Sequence, residues 1–173
     1  MQVRSSIAWV VLGAALLLPA ACQEFEPTSR GDGFKGKYQV ARLALEEGRY
    51  ARAIRSYQSL LKQAGPFAPR VRLEYAHSLL RNNRFEDAAR EARVVAQTQS
   101  GDARLAALAV QGTADHEIAR AAMAAGQRDN AVRSRLQSAR SAFDLVLKKR
   151  KVFDPLGSMA ERRRVIDSEL AQL

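Results

Sequence analysis

The sequence holds one cysteine, Cys22, among 173 residues. No intrachain disulfide can form, so packing alone must hold the fold together. Its two histidines, His77 and His116, exclude a histidine-rich metal site and leave little for histidine-dependent catalysis. Proline is scarce at five residues, and the abundance of Ala, Leu and Arg favours helix over strand. The sequence contains no G-x-S-x-G and no P-loop, and the glycines of Gly31-Asp32-Gly33-Phe34-Lys35-Gly36, which spell G-x-G-x-x-G, sit in a Pro/Gly-rich tether rather than between a strand and a helix. His116-Glu117-Ile118-Ala119-Arg120 stops one residue short of the zinc-protease pattern, because its fifth place is a cation that would repel the metal. Carboxylate pairs such as Glu46-Glu47 and Glu86-Asp87 read as helix-surface and helix-start residues. We therefore expect no catalytic residues, no metal and no cofactor, and a chain that is not an enzyme.

Charge of one sign is in short supply: Asp+Glu is 18 against Lys+Arg 28, a formal balance of +10. The basic residues gather twice, at Lys148-Lys149-Arg150-Lys151 and at Arg162-Arg163-Arg164. No aromatic residues interleave with them for base stacking, so nucleic acid is not an expected partner. The first cluster follows Leu145 and Leu147 at a helix end, where cations complement the negative end of the dipole. Attraction to anionic lipid headgroups is its other reading.

The one long apolar run is Ile7 to Leu18, preceded by Arg4 and followed by Ala20 and Ala21. It is too short for a spanning helix, which needs roughly 20 apolar residues, and it has the three-part layout of a secretory signal. Leu18-Pro19-Ala20-Ala21-Cys22 resembles the lipobox of bacterial lipoproteins, with Pro19 standing where that family usually has Leu. The resemblance implies a signal peptide over 1–21, with Cys22 carrying diacylglycerol, becoming the new N-terminus and then being acylated. Several acyl chains make such an anchor effectively permanent, at about 0.8 kcal/mol per buried CH₂. Gln23 after the cysteine, rather than Asp, points by the same resemblance to the outer membrane. The expected location is the periplasmic face of the envelope. Residues 22–36 contain Pro27, Thr28, Ser29, Gly31, Gly33 and Gly36 with no period, and read as a flexible tether spanning roughly 20 Å.

Beyond the tether the chain repeats. Gly48-Arg49-Tyr50-Ala51-Arg52-Ala53-Ile54 aligns with Asn83-Arg84-Phe85-Glu86-Asp87-Ala88-Ala89, and Ala53 and Ala88 give the offset of 35 residues. A third version begins Gly126-Gln127-Arg128-Asp129-Asn130-Ala131-Val132, with Arg128 at the aromatic place and a first helix about eight residues longer. Helix-period segments precede each turn: Tyr38 to Glu47, Val71 to Arg81 and Ala103 to Ala125.

This pattern resembles the tetratricopeptide repeat, a helix-turn-helix unit of about 34 residues. The resemblance implies an all-α fold, a short right-handed solenoid of antiparallel hairpins over 37–151. It would be closed by a capping helix within 152–173 after Pro155 and Gly157. A small residue belongs where paired helix axes approach to about 8–10 Å, here Ala53 and Ala88, and the aromatic fills the gap between hairpins. In this family the first helices line a concave groove, which here would present Tyr38, Arg42, Glu74, His77, Arg81, His116 and Arg120. The arginines would favour an acidic segment or free carboxylate of a protein or peptide partner. The two-carboxylate clamp of chaperone-binding relatives is not reproduced, since its Lys and Asn places fall on Tyr38 and Arg42.

The function expected from all this is an envelope scaffold anchored through Cys22 that binds proteins. By analogy with repeat lipoproteins, it would serve assembly of an outer-membrane, secretion or pilus complex. The competing expectation is a structural envelope protein that binds anionic headgroups or cell-wall polymer through its basic surface.

Overall fold

The computed structural model describes residues 33–149 and 154–173. The expected signal peptide, Cys22 and most of the tether lie outside these residues, as do Arg150 and Lys151 of the first basic cluster. Seven α-helices and one 3₁₀ turn make up the described residues, with no strand among them. They are α1 (Phe34–Glu46), α2 (Tyr50–Leu61), the 3₁₀ turn (Gly65–Phe67), α3 (Ala68–Arg81), α4 (Phe85–Thr98), α5 (Gly101–Ala124), α6 (Asn130–Lys149) and α7 (Ser158–Leu170). Each helix packs on the next, and α3 also meets α5, so three hairpins stack and α7 follows.

The hairpin turns share one geometry. Gly48, Asn83 and Gly126 have φ of 75°, 59° and 83°, a left-handed conformation that only Gly, and less readily Asn, adopts at low cost. Around each, two backbone bonds recur. Gly48 N–H donates to Leu45 O and Arg49 N–H to Ala44 O. Asn83 and Arg84 repeat this on Leu80 and Leu79, and Gly126 and Gln127 on Met123 and Ala122. These are Schellman motifs, which satisfy carbonyls that a helix end otherwise leaves orphaned.

Alanine dominates the contacts between helices. Ala41, Ala44, Ala53, Ala88, Ala114, Ala119 and Ala139 are wholly buried. Ala53 and Ala88 occupy the small-residue places read from the repeat, beside Tyr57, Leu60, Val71 and Leu79 in one apolar cluster. Removing these faces from water contributes roughly 25 cal/mol per Å².

Two sequence expectations need correction. First, α1 begins at Phe34, so residues 34–36 belong to the helix rather than the tether. The Phe34 ring stacks on Phe67 with centroids 5.6 Å apart, which fixes that first turn. Second, the third hairpin has another register. Its helices are longer, 24 residues for α5 and 20 for α6 against 14 each for α3 and α4. Ala131 is exposed, and neither it nor Arg128 takes the expected place. The buried set Ala88, Ala89, Ala92, Val95 and Ala96 on α4 recurs in spacing at Leu136, Ala139, Ala142 and Phe143 on α6, which puts Arg135 opposite Ala88 and Val132 opposite Phe85. The cause is the entry to α6: Asp129 Oδ1 caps it by accepting from the N–H groups of Ala131 and Val132, so the helix starts later after its turn.

With Arg135 at that place, close approach moves along the helices to Gly112. A Cβ added there would lie 3.1 Å from Ala142 Cβ and 3.3 Å from both Ala139 O and Phe143 Cζ. The Arg135 side chain turns instead to Asp115, donating to its Oδ1 at 2.7 Å. Asp115 is wholly buried and also accepts from the Ser138 hydroxyl at 2.7 Å, with Arg93 at 3.7 Å. A buried carboxylate persists only when it is paired and hydrogen-bonded in this way.

Candidate functional site

Counting back from the left-handed turn residue gives equivalent places on the first helices. Six residues before Gly48, Asn83 and Gly126 stand Arg42, His77 and Arg120. Ten residues before them stand Tyr38, Leu73 and His116. These two positions separate what is open from what is covered.

The position ten residues back links one first helix to the next. The Tyr38 hydroxyl donates to Glu74 Oε1 on α3 at 2.6 Å. In the third unit the His116 Nε2 lies 2.7 Å from Glu169 Oε2 on α7, and Arg162 on α7 donates to His116 Nδ1 at 3.0 Å. Since Nδ1 accepts, Nε2 carries the proton and donates to Glu169. Helix α7 thus stands where a fourth first helix would stand, with Ile166 wholly buried in the last apolar cluster. His116 is 2 % exposed beneath it and so is not part of an open groove. Burial, chiefly, lowers the His116 pKa, with Arg162 adding to the effect and Glu169 opposing it.

The position six residues back faces solvent. Arg42 and His77 meet across a cleft of about 430 Å³, lined also by Leu45, Glu46, Tyr50, Glu74 and Arg81. Four of the seven residues expected in a groove, Arg42, Glu74, His77 and Arg81, come together here. Tyr38 sits beside the cleft through Glu74. Arg120 is exposed one hairpin further on, 3.5 Å from Glu117.

Each lining residue has a distinct state. Glu74 is a hub: besides Tyr38 it accepts the Tyr57 hydroxyl at 2.7 Å, and Arg42 and Arg70 stand 3.6 and 3.4 Å from its Oε1. It therefore ties the first hairpin to the second. Burial and then the Glu74 bond push the Tyr57 phenol far above its usual pKa. Arg42 also donates to Glu46 at 2.8 Å, so its charge is already compensated. The His77 ring is exposed, yet crowding by the cleft walls, then Arg81, lowers its pKa, with Glu74 opposing. At neutral pH it is an uncharged donor and acceptor rather than a cation.

That leaves Arg81. Its Nε and Nη2 donate to the Tyr50 hydroxyl at 3.1 and 3.0 Å, with its guanidinium carbon 5.4 Å from the ring centroid. This is a cation held in place without a carboxylate of its own on the cleft wall. Tyr50, Leu45 and Glu46 were not expected in the site. The signal for Tyr50 was available, because it is Tyr where the second unit has Phe85, and only a hydroxyl can hold Arg81.

The second basic cluster is neutralised locally. Arg162 donates to Glu117 at 2.6 Å, Arg163 to Asp144 at 2.8 Å, and Arg164 lies 2.6 Å from Glu161. Of the adjacent Asp115, His116 and Glu117, Asp115 turns to Arg135, whereas His116 and Glu117 both meet Arg162 on α7. Among the described residues no cluster of His, Cys, Asp or Glu could hold a metal ion, and no helix is long and apolar enough to cross a membrane.

Antiparallel hairpins that share a Schellman turn, with a cleft on the first helices, define a helical-hairpin repeat. Residues 44–111, from the last turn of α1 to the middle of α5, match the family model of the tetratricopeptide repeat. The match ends one residue before Gly112, where the third hairpin departs from the first two. No curated protein and no solved structure matches the chain.

Proposed function

We propose that this chain is a lipid-anchored interaction scaffold of the bacterial envelope that seats an acidic segment or free C-terminal carboxylate of a partner protein in the cleft between α1 and α3. The observation that carries the reading is Arg81, held by Tyr50 on the wall of a cleft built from the first helices α1 and α3, with both Tyr50 and Arg81 inside the matched segment. Arg42 supplies the second charge by exchanging Glu46 for the partner's carboxylate, and neutral His77 supplies a hydrogen bond. Leu45 offers apolar contact beside them. No step of this reading needs a bond to be made or broken, and the chain acts without catalysis.

The anchor is Cys22, placed by the apolar run and Ala20-Ala21-Cys22, with Gln23 favouring the outer membrane. Assembly of an outer-membrane, secretion or pilus complex is the role that repeat lipoproteins of this kind suggest. Two experiments test the parts separately. Metabolic labelling with a fatty-acid analogue should mark the native chain and not Cys22→Ser; an unlabelled native chain removes the anchor. A photo-crosslinking amino acid at position 77 should capture a defined partner in the native envelope, and one at exposed Arg52 on α2 should not. Equal capture from both positions places the interface elsewhere.

A further inference from the structure

The ends of the third hairpin opposite its turn carry a second surface, independent of the cleft between α1 and α3. Helix α5 has ten residues more than α3, and α6 six more than α4. Their shared turn is fixed at Gly126, so the added length projects at the start of α5 and the end of α6. A cleft of about 380 Å³ opens there, floored by Leu105, Leu108 and Leu145, with Arg104 and Lys149 at its mouth and Gly101 and Asp102 at one side. Leu145 is 41 % exposed. Met159, at the start of α7, packs on the cluster that contains Leu108, Ala142 and Val146. This brings the start of α7 to the same cluster, and Leu156, three residues before Met159, is 92 % exposed.

Exposed leucines at an otherwise solvated helix end cost free energy in water, and cations around them select what can cover them. Arg104, Lys148 and Lys149 are exposed. Most arginines elsewhere, Arg42, Arg72, Arg90, Arg135, Arg162 and Arg163 among them, stand on carboxylates of the fold; none of these three has an ion pair among the described residues. Apolar side chains that can enter an acyl boundary, flanked by cations at headgroup height, match one surface: a bilayer containing anionic lipid.

We propose that this end of the third hairpin rests on an anionic lipid bilayer. Leu156 and Leu145 enter the boundary between headgroups and acyl chains, and Arg104, Lys148 and Lys149 lie on the headgroups. The contact orients the stack on the membrane and needs no modification at Cys22.

The test uses the full chain carrying Cys22→Ser and Leu156→Cys, labelled at position 156 with an environment-sensitive fluorophore. Vesicles of phosphatidylcholine alone are compared with vesicles of phosphatidylcholine and phosphatidylglycerol in equal parts. The expected result is a blue shift with the anionic vesicles only. Each cation near such a surface changes partitioning about fivefold, so Arg104→Ser with Lys149→Ser should raise the lipid needed for half-maximal shift by roughly twenty-five-fold. Raising salt from about 0.1 M to 1 M, where the Debye length shortens from about 10 to 3 Å, should have the same direction of effect. Arg52→Ser on α2 should leave the titration unchanged. A fluorophore that stays in water with anionic vesicles overturns the proposal, as does an equal shift with neutral ones. Unchanged titration in the double variant overturns it too.

Discussion

Gly112 is where the third hairpin is most tightly drawn, and replacing it separates two effects of known sign. A valine there brings a Cβ to within 3.1 Å of Ala142 Cβ and 3.3 Å of Ala139 O and Phe143 Cζ, with two further methyls behind it. One of these neighbours is backbone and Phe143 is wholly buried, so little can move aside. Overpacking of this kind costs about 1–3 kcal/mol. Removing a mid-helix glycine returns part of that, about 0.5 kcal/mol for valine and about 1 kcal/mol for alanine. Gly112→Val should therefore lose roughly 1–2 kcal/mol, a fall in Tm of about 3–8 °C. Gly112→Ala should remain within about 1 kcal/mol of the parent, because its helix gain offsets the squeeze. Thermal unfolding followed by far-ultraviolet circular dichroism reads both, and hydrogen exchange should place the loosening in α5 and α6. A valine variant as stable as the parent would refute the claim that Gly112 sets the approach of these helices.

Three more outcomes follow from named contacts. Glu74→Ala leaves the hydroxyls of Tyr38 and wholly buried Tyr57 without their acceptor and should cost about 1–3 kcal/mol in urea unfolding, whereas the exposed Glu46→Ala should cost well under 1. The pKa of His116 lies below the ordinary histidine value when folded, chiefly through burial, so the unfolded chain binds its proton more readily. Its contribution is complete above a pH of about 6.5 and is lost as pH falls below that value. The hydrogen-exchange protection factors of α7, taken relative to the unfolded chain at the same pH, should fall there, and His116→Gln should flatten the dependence; His77 is shifted the same way and stays in place as the common background. Ala88→Trp overfills a wholly buried helix contact and should lower stability by about 1–3 kcal/mol, while the exposed Arg90→Gln should change it little.

What was legible in the sequence is what local chemistry demands. Gly48, Asn83 and Gly126 could be read because a left-handed turn restricts the residue, and Ala53 and Ala88 because a helix crossing restricts its size. Arg42, His77 and Arg81 followed from their distance to those turns, and the fold brings them to one cleft. The third hairpin was not legible. Helix α5 is covered by α4, α6, α3 and α7, and its buried residues Ala107, Leu108, Gly112, Ala114, His116 and Ala119 run around much of its circumference. A helix buried on several sides has no apolar stripe from which to read a register. His116 escaped for a related reason: its partner Glu169 is 53 residues away, and nothing near either residue marks the pairing. The ion pairs of Arg162 and Arg163 are likewise long-range, which made a neutralised surface look like a bare basic cluster.

Binding at Arg81 tests the central claim most directly. The partner captured through position 77 should be titrated against the full chain and its variants Arg81→Ala, Arg42→Ala and Arg52→Ala. A charge-assisted hydrogen bond contributes about 1.5–3 kcal/mol, so Arg81→Ala should weaken binding roughly tenfold or more. Arg42→Ala should cost less, because Glu46 and Glu74 already compensate that charge, and Arg52→Ala should bind as the parent does. Amidating the partner's C-terminus, or neutralising its acidic segment, should reproduce the loss in the parent and add nothing in Arg81→Ala. Full affinity in Arg81→Ala, or an equal loss in Arg52→Ala, would contradict a partner seated between α1 and α3.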